Sequence, residues 1–116
     1  MEKTLTIDGR EVRFKSNGSL PLRYKAQFGR DLFKDILKMA SLEELANKKK
    51  IDVKTLEVLD FEVFYNVAWI MAKTADPSIP DPIKWLDGFD AFPMAEIIPE
   101  LQDLLSSNFV QMKKKL

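Results

Sequence analysis

The sequence contains no cysteine and no histidine. Without thiols, neither a disulfide scaffold nor a thiolate metal site can form. Without imidazole, the usual general base and the commonest transition-metal ligand are missing, and with them most nucleophile–base pairings used in acyl transfer. Glycine is sparse and scattered, at Gly9, Gly18, Gly29 and Gly88, so no glycine loop cradles a phosphate. No apolar run approaches the roughly 20 residues of a membrane span, and the opening MEKTLTIDGR lacks the apolar stretch of a signal peptide. An excess of one charge is missing as well. Eighteen basic and eighteen acidic residues cancel to a formal net charge of zero, which is unlike a nucleic-acid binder. Together these absences point to a cytoplasmic protein that acts without a cofactor, a metal or a nucleic acid.

What is present suits a packed core. The chain has 116 residues, of which 46% are hydrophobic and 31% charged, the balance of one globular domain spanning 1–116. The patterning predicts a predominantly α-helical α+β fold, with a hairpin over 1–16 followed by about five helices over 19–112. TLTIDGREVRF alternates apolar and polar residues on both sides of Asp8-Gly9, a dipeptide suited to a two-residue type I′ turn. Leu5, Ile7, Val12 and Phe14 then share one face, which needs a cover because an isolated hairpin is marginal in water.

Helix signals follow in series. Ser19 is placed to cap a first helix, Pro21 suits its first turn and Gly29 its end. Asp31 is placed to cap a second, with Leu32, Phe33, Ile36, Leu37 and Ala40 at helical spacing. SLEE at 41–44 matches a capping box and predicts a restart at Ser41. NKKKID at 47–52 reads as a solvated break rather than a binding patch. From Val53 to Ala75 runs the longest periodic segment. Leu56, Leu59, Val63, Val67 and Ile70 form one stripe, Phe64, Ala68, Met71 and Ala75 another, and Tyr65 and Trp69 a third. A helix apolar on so much of its circumference is the central element of its domain or has one face covered by another subunit. A last helix starts near Pro93, with Met94, Ile97, Ile98, Leu101, Leu104, Leu105 and Phe109 in a stripe and Pro99 placed to kink it.

KTADPSIPDPIKWLDGFDAFP, residues 73–93, is the most distinctive stretch. Asp76-Pro77 stops one helix, and Asp81-Pro82 caps and starts another. Pairs such as Asp87 with Asp90, or Asp76 with Asp81, have the chemistry of an acid–base pair or a hard-cation cage. Their spacing is unspecific, and aspartate beside proline or glycine is ordinary turn and cap chemistry. The reading is therefore non-enzymatic. Trp85, Phe89 and Phe92 recur every three to four residues, which fits either core packing or the aromatic anchors of an interface.

The order of three segments, TIDGREVRFK, PLRYKAQFGRDLFKDILK and FEVFYNVAWIMAKTADPSIPDPIKWLDGFDAFPMAEIIPELQDLL, resembles the tail assembly chaperones of long-tailed phages and prophages of Gram-positive bacteria. YNVAWIMAKTADPSIPDPIKWLDGF carries most of the likeness. The resemblance implies a mainly helical protein of the host cytoplasm that binds the tape measure protein, keeps it soluble, helps recruit tail tube subunits, self-associates and is absent from the finished virion. It also implies a second, longer product made by ribosomal frameshifting. Lys113, Lys114 and Lys115 fit an adenine-rich run on which ribosomes slip. They equally fit cations near a helix C-terminus. The rival expectation is a tail completion or connector subunit of the virion. A helix-in-groove contact with the tape measure protein would use apolar anchors of the kind carried by Trp69, Trp85, Phe89 and Phe92, some of them partly exposed.

Overall fold

The computed structural model describes residues 1–46 and 60–110, with the side chains of 41–46 and 107–110 left outside. Two strands, β1 (Glu2–Ile7) and β2 (Arg10–Lys15), pair antiparallel with Leu5 opposite Val12 and Lys3 opposite Phe14. Asp8 and Gly9 form the turn with φ of 54° and 73°, the positive values that a type I′ turn requires at both central positions. Ile7, Val12 and Phe14 are buried and Leu5 is packed against the core, so the hairpin's apolar face is covered.

Five helices follow among the described residues: α1 (Leu20–Phe28), α2 (Leu32–Ala46), α3 (Phe61–Ala75), α4 (Pro82–Leu86) and α5 (Met94–Val110). Helix α3 is the centre. It packs on β2 and against α1, α2, α4 and α5, and the run from Val63 to Ala72 is buried apart from Tyr65. A helix apolar around most of its circumference has to be enclosed in this way. Helix α5 packs against α2 and α3, with Ile97, Ile98, Leu101, Leu104 and Leu105 buried. Lys3 of β1 reaches α5 to pair with Glu100 at 2.5 Å and Asp103 at 3.3 Å, tying the hairpin to the last helix.

The helix boundaries correct several expectations. Asp60 caps α3, its Oδ1 accepting from the Glu62 amide at 3.1 Å. The helix therefore begins at Phe61 rather than Val53, while Leu56 and Leu59 lie outside the described residues, as do the charged break at 47–52 and Lys113–Lys115. Helix α2 runs unbroken through Ser41, so the SLEE sequence does not restart it. Ser19 occupies the N-cap position of α1 without a side-chain cap bond. Asn17 organises that turn instead, its Oδ1 accepting from the Ser19 amide and hydroxyl at 3.0 and 2.8 Å. Asp31 does cap α2, accepting from the Phe33 amide at 2.8 Å. Gly29 ends α1 with φ of 69°, and Pro99 lies inside α5.

Helix α2 also turns a different face inward than its apolar spacing suggests. Leu32, Asp35 and Met39 are buried, whereas Phe33, Leu37 and Ala40 face solvent. Asp35 is held inside by a bidentate contact from Arg30, at 2.7 and 3.0 Å, and by the Tyr24 hydroxyl at 2.5 Å. A buried carboxylate satisfied by three donors is tolerated where an unpaired one is not.

Candidate partner-binding surface

Residues 73–93 wrap the end of α3 through contacts dictated by their own chemistry. Pro77 and Pro80 offer carbonyls but no amide donors, and two α3 side chains use them. The Trp69 indole Nε1 donates to the Pro80 carbonyl at 2.8 Å, and Lys73 Nζ donates to the carbonyls of Pro77 and Ile79 at 2.7 and 2.6 Å. Asp76 ends α3 and closes the next turn by accepting from Ser78, whose hydroxyl holds the Asp76 carboxyl below the usual range. Asp81 precedes the short α4 with Pro82 at its start, but makes no side-chain cap bond.

The hairpin clamps the segment after α4. Arg10 Nη1 donates to the Gly88 carbonyl at 2.7 Å, and its guanidinium lies 4.5 Å from the centre of the Phe89 ring, within cation–π range. Asp8 Oδ2 accepts from the Asp90 amide at 2.9 Å, so the turn aspartate that permits the hairpin also fixes its neighbour. Trp85, Phe89 and Phe92 form a triangle of edge-on rings with centroids 5.3 to 5.5 Å apart. Phe92 continues the cluster onto Phe64 and Tyr65 of α3.

That packing locates the four aromatic residues singled out from the sequence. Trp69, Trp85 and Phe89 are 3%, 7% and 8% exposed, so all three belong to the core, and Phe92 alone is half-buried. The structure joins Trp85, Phe89 and Phe92 in one cluster. Trp69 belongs to a separate chain of rings, with Phe28 at 5.8 Å and Tyr24 beyond it at 5.0 Å from Phe28. As for the paired carboxylates, Asp76 serves its turn, and no group of three acidic residues among those described is placed to hold a metal ion. No helix among them is long and apolar enough to cross a membrane.

The open apolar surfaces lie elsewhere. Between α3, α4 and the end of α1 runs an open, mainly apolar groove of about 730 Å³, with Phe28, Tyr65, Ile83 and Leu86 among its walls. Ile83, on α4, is 78% exposed. The groove's charged border is acidic in balance: Glu62, Asp81 and Asp87 against Lys84. A second apolar surface is formed by Leu22 of α1 with Phe33 and Leu37 of α2, respectively 75%, 43% and 71% exposed. Leu22 and Phe33 line a common shallow cleft there. The aromatic count that drew attention to Trp85 and Phe89 does not find these positions. The sequence signal that does is an isoleucine directly after the Pro82 helix start, and an α2 with more apolar residues than one buried face can hold.

No family model, no curated protein and no solved structure matches the chain.

Proposed function

We propose that this protein is a phage tail assembly chaperone, working in the host cytoplasm to hold the tape measure protein soluble and to help bring tail tube subunits to it. One structural observation supports this reading most directly: the open apolar groove bounded by α3 and α4, with Ile83 standing exposed beside it. An amphipathic helix buries its apolar side chains in a groove of this kind, and a chaperone of a long helical client needs such an acceptor surface. The resemblance of residues 6–15, 21–38 and 61–105 to tail assembly chaperones, strongest over 65–89, is what suggests the tape measure protein as the client. The geometry shifts the proposed contact from the buried Trp69, Trp85 and Phe89 to Phe28, Tyr65, Ile83 and Leu86. In this reading the three buried aromatics position α4 and so shape the groove.

Co-expression with the tape measure protein of the same gene cluster tests the proposal. The expected result is that the client becomes soluble and co-purifies, while the chaperone is missing from purified virions. A client that stays insoluble and unbound with both products of the gene present would overturn it. Recovery of the chain in mature particles would instead favour a completion or connector subunit.

A further inference from the structure

The groove beside α4 has charged residues at its border and one side-chain amide in its wall. On α3, Tyr65 and Asn66 follow Glu62 by three and four residues, the spacing of one helix face, and all three line the groove. Asn66 differs from its neighbours there, because it is a neutral polar side chain only 8% exposed. The N–H end of its amide faces the Tyr24 oxygen, where it favours the ionised phenol. The carbonyl end has no hydrogen-bond donor among the described residues. Water can serve that end while the groove stands open. An entirely apolar helix seated over it would strand the amide, and a buried polar group left without a partner is costly.

We propose that the groove selects its client helix through Asn66: the helix that binds places an amide or hydroxyl side chain against Asn66, inside a stripe otherwise apolar, with lysine or arginine on its flanks. Glutamine suits the position best, since it both donates and accepts and so meets either end of the Asn66 amide. The flanks follow from the border, where Glu62, Asp81 and Asp87 outnumber Lys84 among the described lining residues. In coiled coils a single buried polar residue fixes partner and register at a cost in stability, and an amide in the wall of an apolar groove acts in the same way. A client displaced by one turn would set an aliphatic side chain against Asn66, so the hydrogen bond chooses both the segment and its register. The inference rests on the helix-acceptor reading of the groove, and adds which amphipathic helices the groove accepts.

Binding of synthetic amphipathic peptides to the full chain, followed by fluorescence anisotropy, tests the proposal. The reference peptide carries a leucine stripe with glutamine at its centre and lysine on its flanks. A second peptide replaces the glutamine with leucine, and a third replaces the lysines with glutamate. Wild type should hold the reference about tenfold more tightly than the all-leucine peptide, although the latter is the more apolar. It should also hold the reference about tenfold more tightly than the acidic peptide at low salt, with that gap closing as salt rises. Asn66→Leu should reverse the first preference and leave the second. Circular dichroism and thermal melting check that this variant is folded, and the comparison of peptides on wild type does not depend on it. Equal or tighter binding of the all-leucine peptide by wild type, no discrimination against acidic flanks, or a glutamine preference that survives Asn66→Leu would overturn the proposal. If the all-leucine peptide wins on wild type while the tape measure protein co-purifies and is lost with Ile83→Gln, this inference alone fails. If glutamine is preferred and the tape measure protein stays unbound, only the chaperone reading fails.

Discussion

The Tyr24 hydroxyl donates to the Asp35 carboxylate at 2.5 Å inside the core, and Arg30 closes the other side of the same carboxylate with two hydrogen bonds. Burial alone would raise the Asp35 carboxyl, but the bonds from Arg30 and Tyr24 outweigh it and hold the group below its ordinary 3.8. Burial, reinforced by the bond to Asp35, pushes the Tyr24 phenol far above its ordinary 10.0. The folded protein thus binds fewer protons than the unfolded chain at Asp35 in acid, so that contribution is complete above pH 3.8 and is lost as pH falls through the lower folded value. At Tyr24 the sign reverses. The contribution is complete below pH 10.0 and is lost as pH rises past it, because the unfolded phenol ionises first. Removing the carboxylate by Asp35→Ala strands a buried hydroxyl and an ionised guanidinium, and should cost about 3 kcal/mol at neutral pH. Denaturant melts across pH should show a flattened acid limb in Asp35→Asn and a flattened alkaline limb in Tyr24→Phe.

At the hairpin turn, Gly9 has φ of 73° and open space where a side chain would stand. Its substitution therefore carries only the backbone penalty. Gly9→Ala should destabilise by about 1 kcal/mol, the usual penalty of the left-handed region for a residue with a Cβ. Asp8→Ala should cost more, since it loses both the residue type that tolerates φ of 54° and the acceptor for the Asp90 amide. Thermal melts of the two variants order these effects, and equal losses would mean that the Asp8–Asp90 bond contributes nothing.

Trp69 holds the loop after α3 through one bond, Nε1 to the Pro80 carbonyl. Phenylalanine keeps most of the ring volume in the core and removes that donor, so Trp69→Phe isolates the bond. The Ile79 amide, which donates to the Asp76 carbonyl at 3.1 Å, reports on the same loop. Its hydrogen exchange should quicken by about tenfold, the equivalent of roughly 1.4 kcal/mol of local stability, with exchange in the middle of α3 little changed. Uniform acceleration across the chain would place the effect in global stability instead.

How much of the fold was readable in the sequence depends on which forces act locally. Asp8-Gly9, the Asp31 cap, Gly29 and Asp76-Pro77 are backbone statements made by one or two residues, and each does its expected work. The apolar excess of residues 53–75 was equally plain, and the part of it that is described, the helix Phe61–Ala75, is enclosed as that excess demands. Other features are decided by distant partners. Asp35 turns inward because Arg30 and Tyr24 meet it there, and the turn of α2 that this fixes sends Phe33 and Leu37 outward. Ser41 and Glu44 fit a capping box, yet both residues are also acceptable within a continuing helix, and α2 continues. The spacing of Trp85, Phe89 and Phe92 marks one side of a short helix and its exit. It does not reveal that Arg10 and Asp8, far earlier in the chain, close over that side and leave Ile83 on the open one.

The same geometry sets how the proposed client surface should be tested. Trp85→Ala and Phe89→Ala each remove a large buried ring from a cluster that includes Phe92, so each should cost about 3 to 5 kcal/mol and lower the melting temperature markedly. Loss of the tape measure protein in those variants would report a damaged fold rather than a lost contact. Ile83 is 78% exposed beside the groove, and Ile83→Gln should change stability by no more than about 0.5 kcal/mol. Co-purification with the tape measure protein should nonetheless fall severalfold, because the variant replaces an apolar wall of the groove with an amide that water solvates better than an apolar client does. If Ile83→Gln melts like wild type and retains its client in full, the acceptor surface is not at α4, and the stripe of Leu22, Phe33 and Leu37 becomes the place where a client helix would bind.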